Sequence, residues 1–255
     1  MLGKLIGCMF TDPINLMFRI RAPEIPVGLY AYVVGDVHGR ADCLENIFNR
    51  IDDDSKNIVE SSKYEIYLGD YVDRGQDSKK VLDLLVQRQQ QRQTIMLRGN
   101  HEYMFCEAFE NPDNLADWAC MGGIETIASY GVDIQWPLAK DQNLYIHREW
   151  VKKVPVSHRV FLKNLRNSFE LGSYFFCHAG VRDGIKLRNQ SVDDLLWIRE
   201  EFLSSNVWHG KLVVHGHTPV EQPEFKTNRI NIDTGAYITN NLTCIKLYGH
   251  EKEIL

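Results

Sequence analysis

The sequence predicts an α/β fold: parallel β-α-β units come first, and a second, strand-rich half packs against them. Three observations support this. Three apolar stretches each end in a glycine-flanked polar cluster: Gly35-Asp36-Val37-His38-Gly39, Gly69-Asp70-Tyr71-Val72-Asp73-Arg74-Gly75 and Gly99-Asn100-His101-Glu102. Segments of helical periodicity separate the clusters, which implies parallel crossovers. Beyond Gly172 short apolar runs dominate, and two of them end in further imidazoles, at Cys177-His178-Ala179-Gly180 and Val214-His215-Gly216-His217-Thr218.

Residues 1–28, punctuated by Pro23 and Pro26, read as an arm or docking segment, and 29–255 as a single domain. Leu29–Val34 is almost continuously apolar, as a strand buried on both faces requires. Helical spacing follows over 41–51, with Leu44, Ile47, Phe48 and Ile51 on one face. A second strand is expected at 65–68, a helix at 77–90 and a third strand at 94–97. From 102 to 171 the pattern is helical, broken at Pro112, Pro137 and Pro155, with a bend at Gly122-Gly123 and a helix over 156–167. The aromatic-rich stretch 136–150 suits a lid or substrate wall, or alternatively plain core. Strands are expected at Tyr174–Cys177, Leu212–His215, 229–232 and 242–247, forming a second sheet with the site in the cleft between the two.

At 255 residues, with 44% hydrophobic and 25% charged residues, the composition is that of an ordinary globular protein. A net charge of −5 gives no electrostatic reason to expect nucleic acid or a membrane surface as a partner. An anionic substrate would have to be met by local positive charge. Six cysteines, at 8, 43, 106, 120, 177 and 244, show no C-x-x-C spacing, which fits reduced thiols in a cytoplasmic protein. Cys177 reads as a small buried hydrophobe. Leu5-Ile6-Gly7-Cys8 has the look of a lipoprotein cleavage box, but too little apolar chain precedes it. No run approaches the roughly 20 apolar residues of a membrane span. The oligomeric state is left open.

Hard oxygen and nitrogen donors delivered by five separate loops point to a pair of metal ions rather than one. Flanking glycines permit the sharp turns that bring such side chains to one place. Taken together, GDVHGR, GDYVDRG, GNHE, HAGV and HGHT resemble, in content and order over residues 30–248, the phosphoprotein phosphatase family of calcineurin-like metallophosphoesterases. The short bacterial and bacteriophage serine/threonine phosphatases are the most similar branch. The resemblance implies a β-sandwich of two mixed sheets flanked by helices, with a dinuclear metal site in the cleft at the strand ends. Asp36 and His38 would bind the first metal, Asp70 would bridge, and Asn100, His178 and His217 would complete the second. Mn²⁺ is the implied ion; Fe and Zn²⁺ also suit the donors, and the lack of thiolates argues against a structural zinc site.

The resemblance further implies in-line attack on phosphorus by a hydroxide shared between the metals. His101 would protonate the leaving group and Asp73 would orient His101. Arg74 and Arg199 would grip phosphate oxygens, with Arg98 a third candidate. Arg98 could instead pair with Asp73 or Glu102, and Arg199 could lie on a solvated helix face. Glu102 reads as a brace for the helix after Gly99, and His215 as a second-layer or simple strand histidine. The implied substrate is a serine/threonine-phosphorylated protein or another small phosphoester. The alternative is symmetrical cleavage of dinucleoside tetraphosphates. Against it stand Arg74 in the D-R-G position, GNHE and HGHT in place of GNHD and GHW types, and a short segment between His178 and His217. A catalytically dead phosphate-binding module would need a missing ligand, and every position is filled.

Overall fold

The structure is a computed structural model and describes residues 22–56, 58, 62–134 and 142–255. Leu5-Ile6-Gly7-Cys8, most of the arm, Pro137 and the start of the aromatic-rich stretch lie outside the described residues. Three strand–helix units come first: β1 (Leu29–Val34) and α1 (Ala41–Ser55), β2 (Ser62–Tyr67) and α2 (Ser78–Gln91), β3 (Thr94–Met96) and α3 (Asn100–Glu110). A helical middle follows, with α4 (Leu115–Trp118), α5 (Ile124–Ser129), α6 (Asn143–Lys153) and α7 (Val156–Lys163). The last part contains β4 (Ser168–Leu171), β5 (Tyr174–Cys177), α8 (Val192–Trp197), α9 (Glu200–Leu203), β6 (Leu212–His215), β7 (Glu224–Phe225), β8 (Arg229–Asn231), α10 (Ala236–Thr239), β9 (Cys244–Tyr248) and β10 (Glu251–Ile254).

These strands form two five-stranded sheets, ordered β10-β9-β1-β2-β3 and β4-β5-β6-β8-β7. Each sheet has a parallel centre, β1-β2-β3 in one and β5-β6-β8 in the other, with antiparallel strands outside it. The inward faces meet through alternate residues: Ala31, Val33, Ile66, Leu68, Ile95 and Leu97 pack against Tyr174, Phe176, Leu212, Val214, Ile230 and Ile232. Each such side chain contributes about 1.5–3 kcal/mol on burial. The opposite face of the first sheet, with Tyr32, Val34, Tyr67 and Met96, is covered by the helices. The second is covered by Leu195, Ile198 and Phe202.

Several expectations are corrected. The helix expected over 156–167 stops at Lys163, because the backbone of Arg166 is recruited by the end of β3. Arg98 N–H donates to the Arg166 carbonyl (2.7 Å) and Arg166 N–H to the Met96 carbonyl (3.0 Å). The chain then returns as β4. The strand placed at 242–247 in the second sheet is β9 of the first: it pairs with β1, and its Ile245 and Leu247 join the sandwich core. The last residues of the arm are anchored, since Ile25 is buried and its N–H donates to the Gly249 carbonyl (2.8 Å). At the described end of the aromatic-rich stretch, Trp150 is core: its ring lies 4.8 Å from those of both Phe105 and Trp118.

A buried ionic staple fixes the first two helices to the sheet. Arg88 of α2, 5% exposed, donates to Glu65 of β2 (2.7 and 2.8 Å) and to Asp52 of α1 (2.8 and 2.9 Å), and Tyr67 Oη donates to Glu65 (2.6 Å). Replacing Arg88 by Met should destabilise the fold by about 3–5 kcal/mol, since Glu65 would stay buried without its counter-charge. Urea unfolding measures this. The Glu65→Met, Arg88→Met double variant should recover most of the loss, and a cost below about 1 kcal/mol for Arg88→Met would assign the pair no more weight than a surface ion pair.

Candidate active site

Every parallel strand delivers a polar side chain at its C-terminal end. Asp36 and His38 follow β1, Asp70 follows β2, Asn100 and His101 follow β3, His178 follows β5, His217 follows β6 and Asp233 follows β8. The loops are tight enough to force unusual backbone. Six described residues other than glycine have positive φ, and five are His38, Asp70, Asp73, Arg74 and His217. Left-handed geometry is unfavourable for such residues and persists where surrounding contacts over-determine it. Two glycines make room at the centre: a Cβ on Gly99 would overlap Asp70 Oδ1, and one on Gly216 would overlap Asp36 Oδ1.

The donor atoms converge in two groups that share Asp70, one with His38 and His101, the other with His178 and His217. In the second group His178 Nε2, His217 Nδ1 and Asn100 Oδ1 form a triangle with sides of 2.9, 2.9 and 3.1 Å. Donors about 2.1 Å from an octahedral ion and at right angles to one another stand about 3.0 Å apart, so the triangle has the dimensions of one coordination face. Asp70 Oδ1 lies 3.4 Å from His178 Nε2, and Asp70 Oδ2 lies 3.4 Å from His38 Nε2. The rings are aimed from behind. The Leu68 carbonyl lies 3.0 Å from His178 Nδ1 and the Val72 carbonyl 3.0 Å from His38 Nδ1. Each carbonyl takes the Nδ1 proton and leaves Nε2 to face the centre. Asp36 Oδ1 is buried without a hydrogen-bond partner. These residues fit a pair of divalent cations.

The electrostatics agree. Burial, reinforced by Asp233 and Asp70, pushes the Asp36 carboxyl well above its usual range. Burial and repulsion from Asp70 raise Glu102 to about 7, and burial with Asp70 nearby raises Asp233 to about 6. Burial opposes ionisation of Asp70 too, yet His178 and His101 hold it well below the ordinary carboxylate value. Burial lowers His38 to about 3 and His217 to about 2, so both are neutral and ready to ligate. His178 is also penalised by burial, but Asp70, Asp36 and Glu102 outweigh that and hold it at about 9. Glu102 does more than brace its helix. Its carboxylate accepts the N–H groups of Gly99 (2.9 Å), Asp70 (2.8 Å), Tyr71 (2.7 Å) and Val72 (3.2 Å), and so ties the β2 loop to the β3 loop.

Beside the donors stands an acid–base pair. His101 Nδ1 donates to Asp73 Oδ2 (2.7 Å), both residues being fully buried. Burial works against charge on His101, but Asp70 and Asp73 prevail and raise its pKa. The helical middle holds Asp73 in place: Trp118 Nε1 donates to its Oδ2 (2.7 Å) and Thr126 Oγ1 to its Oδ1 (2.6 Å). Arg74 spans two rings, 3.2 Å from His38 Nε2 and 3.1 Å from His101 Nε2, with its guanidinium 4.8 Å from the centroid of Tyr237. Its backbone N–H donates to the carbonyl of Gly122 (3.0 Å).

The remaining expected residues divide. Arg199 is exposed and donates to Thr218 Oγ1 (3.3 Å), one residue from His217, so it borders the cleft. Arg98 is not brought there. Its side chain lines a separate cavity of about 400 Å³ with Tyr103, Cys106, Phe109, Arg159 and Lys163, because the chain turns at Gly99 and sends Arg98 to the other side. Neither Asp73 nor Glu102 pairs with it. His215 is a strand histidine, 3.4 Å from Arg229 and edge-on to the Phe202 ring. Sequence reasoning missed Asp233, Tyr237, Trp118 and Thr126. Asp233 carried a usable signal, an acid just beyond the strand expected at 229–232 and before Thr234-Gly235.

Taking up a cation must expel the proton that His178 holds, whereas His38 and His217 have none to lose. Calorimetric titration with Mn²⁺ near pH 7, in buffers of differing ionisation enthalpy, should register at least about one proton released per protein. Affinity should rise about tenfold per pH unit and level off near pH 9, where His178 is already neutral. A flat affinity across that window would remove His178 from the ligand set.

Known proteins are similar to this chain over most of its length. The model of the calcineurin-like phosphoesterase family matches residues 30–251. The asymmetrical bis(5'-nucleosyl)-tetraphosphatase PrpE of Oceanobacillus iheyensis is 27% identical over 242 residues, covering 88% of this chain and 90% of its own. Serine/threonine-protein phosphatase 2 of Salmonella typhimurium is also 27% identical, over 241 residues, covering 91% and 100%. Among solved structures, a putative diadenosine tetraphosphatase superposes with a TM-score of 0.61 at 16% identity, covering 91% of this chain and 95% of its own. A serine/threonine phosphatase of Saccharomyces cerevisiae similar to human PP5 superposes with a TM-score of 0.51 at 14% identity, covering 86% and 72%. The chain belongs to the calcineurin-like phosphoesterases, a family of metal-dependent hydrolases of phosphoric esters.

Proposed function

We propose that this chain is a serine/threonine protein phosphatase, and that the observation carrying this reading is the buried Asp73–His101 pair set against the metal donors. Serine and threonine leave phosphorus as strongly basic alkoxides, which must be protonated as the bond breaks. A nucleoside polyphosphate leaves as a weakly basic anion and gains little from an acid. An imidazole whose pKa is raised by Asp70 and Asp73 is thus more useful against an alkyl phosphomonoester than against an anhydride. Divalent cations at the site would supply Lewis acidity, polarising phosphoryl oxygens and an attacking water. Asp36 and His38 would hold one ion and Asn100, His178 and His217 the other, with Asp70 shared. Mn²⁺ is the ion proposed, as the family resemblance implies, and the oxygen donors suit it. Arg74 exchanges its two ring nitrogens for phosphate oxygens, steadied by the Tyr237 face, and Arg199 closes from the rim. The five described cysteines are unpaired, which supports a cytoplasmic setting.

A second reading has its own support. PrpE relatives recur among the similar proteins, and their names specify asymmetrical cleavage, not the symmetrical reaction first considered. They match this chain about as well as the named protein phosphatase does, so overall similarity does not separate the two activities. The deciding experiment compares phosphoserine peptides with diadenosine tetraphosphate, Mn²⁺ being present. A kcat/KM for the nucleotide well above that for every peptide, with ATP and AMP as products, would replace the first reading by the second.

His101→Asn should slow phosphoserine hydrolysis by about 10²–10⁴-fold and p-nitrophenyl phosphate, whose leaving group needs little help, far less. Parallel slowing of both substrates would deny His101 the acid role.

A further inference from the structure

A cavity of about 410 Å³ opens next to the acid–base pair, lined by Met104 and Glu107 of α3, Asp117 and Trp118 of α4, and Met121 in the turn that follows. Its walls are extensions of the groups assigned to the chemistry. Met104 stands one helical turn beyond His101, about 5 Å along α3. Trp118 is the residue that holds Asp73. Met121 immediately precedes Gly122, which lies so close to Arg74 that an added Cβ would come within 2.8 Å of Arg74 Cγ. Two residues of an extended peptide span about 7 Å, at roughly 3.3 Å each, which is comparable with the one helical turn that separates Met104 from His101.

The lining also says what would enter. Two thioethers and an indole form a deformable apolar surface, and Met121 is 45% exposed. At the rim Asp117 and Glu107 make no ion pair among the described residues. We propose that this cavity is a substrate subsite: it takes a large apolar side chain about two residues from the phosphorylated serine or threonine, and its rim carboxylates disfavour acidic neighbours. The proposal rests on the protein phosphatase reading above.

The test uses the full-length, Mn²⁺-loaded enzyme on phosphoserine peptides carrying Phe, Gly or Glu two residues before or after the phosphoserine. The Phe peptide on one side should exceed its Glu counterpart by about tenfold or more in kcat/KM. Met121→Asp should abolish that preference and leave p-nitrophenyl phosphate turnover within about twofold, which also shows that the variant is folded; Met104→Glu should act alike. Equal kcat/KM for all the peptides, or a variant that loses p-nitrophenyl phosphate turnover in parallel, would overturn the subsite and leave the phosphatase reading intact. Failure to cleave any peptide would overturn both. A Met121→Asp variant impaired only on diadenosine tetraphosphate would assign the cavity to a nucleobase, and so overturn the peptide subsite.

Discussion

Negative charge confined to a dry cleft is the constraint around which this molecule is arranged. Asp36, Asp70, Glu102 and Asp233 are each no more than 2% exposed. Withdrawing a single carboxylate from water costs several kcal/mol even after the surroundings relax. Glu102 is answered by four backbone N–H groups, and Asp70 by the imidazoles of His178 and His101. Asp36 accepts from His217 N–H, Asp70 from His101 N–H and Asp233 from Gly235 N–H. Their remaining acceptor capacity faces the cleft, and cations are what meets it. The left-handed residues, the crowded glycines and the convergence of six strand ends all serve to hold that charge in place until the cations arrive.

The parts of this plan that were legible in the sequence are the local ones. A candidate ligand that follows its own strand by one to four residues, with glycine within two positions, leaves a compact trace; Asp36, His38, Asp70, Asn100, His178 and His217 all have one. So do β1, β5 and β6, whose largely apolar runs reflect burial on both faces. Edges were another matter. β4, β7 and β10 are short, carry exposed acids and exist because a neighbouring strand recruits them, which no single-strand pattern records. Arg98 shows the same limit at the level of one side chain, since adjacency to a ligand loop says nothing about which way a residue points across a sharp turn.

Long-range support was the least visible. Trp118 and Thr126 lie 45 and 53 residues from Asp73 in the chain, and as sequence they are an ordinary aromatic and an ordinary threonine in a helical stretch. Their work is to present correctly oriented donors to a buried carboxylate, and such a role leaves no local pattern. Asp73 satisfies both of its oxygens because four separate pieces, the β2 loop, α3, α4 and α5, pack at once. The helical middle is thus the frame for the acid, while the strand ends are the frame for the metals.

That division bears on how relatives of equal similarity come to carry different names. Metal ligation fixes the electrophilic half of the reaction and is common to esters and anhydrides, because both substrates present the same phosphoryl group. What differs is the departing atom, and in the proposed reading its needs are met by Asp73, His101 and the helices that orient them. A substrate with a basic leaving group depends on that second frame; one with an acidic leaving group hardly senses it. Overall identity averages over both frames. The leaving-group preference of this chain is therefore better sought in the few contacts that α4 and α5 make with Asp73 than in the motifs that place it in its family.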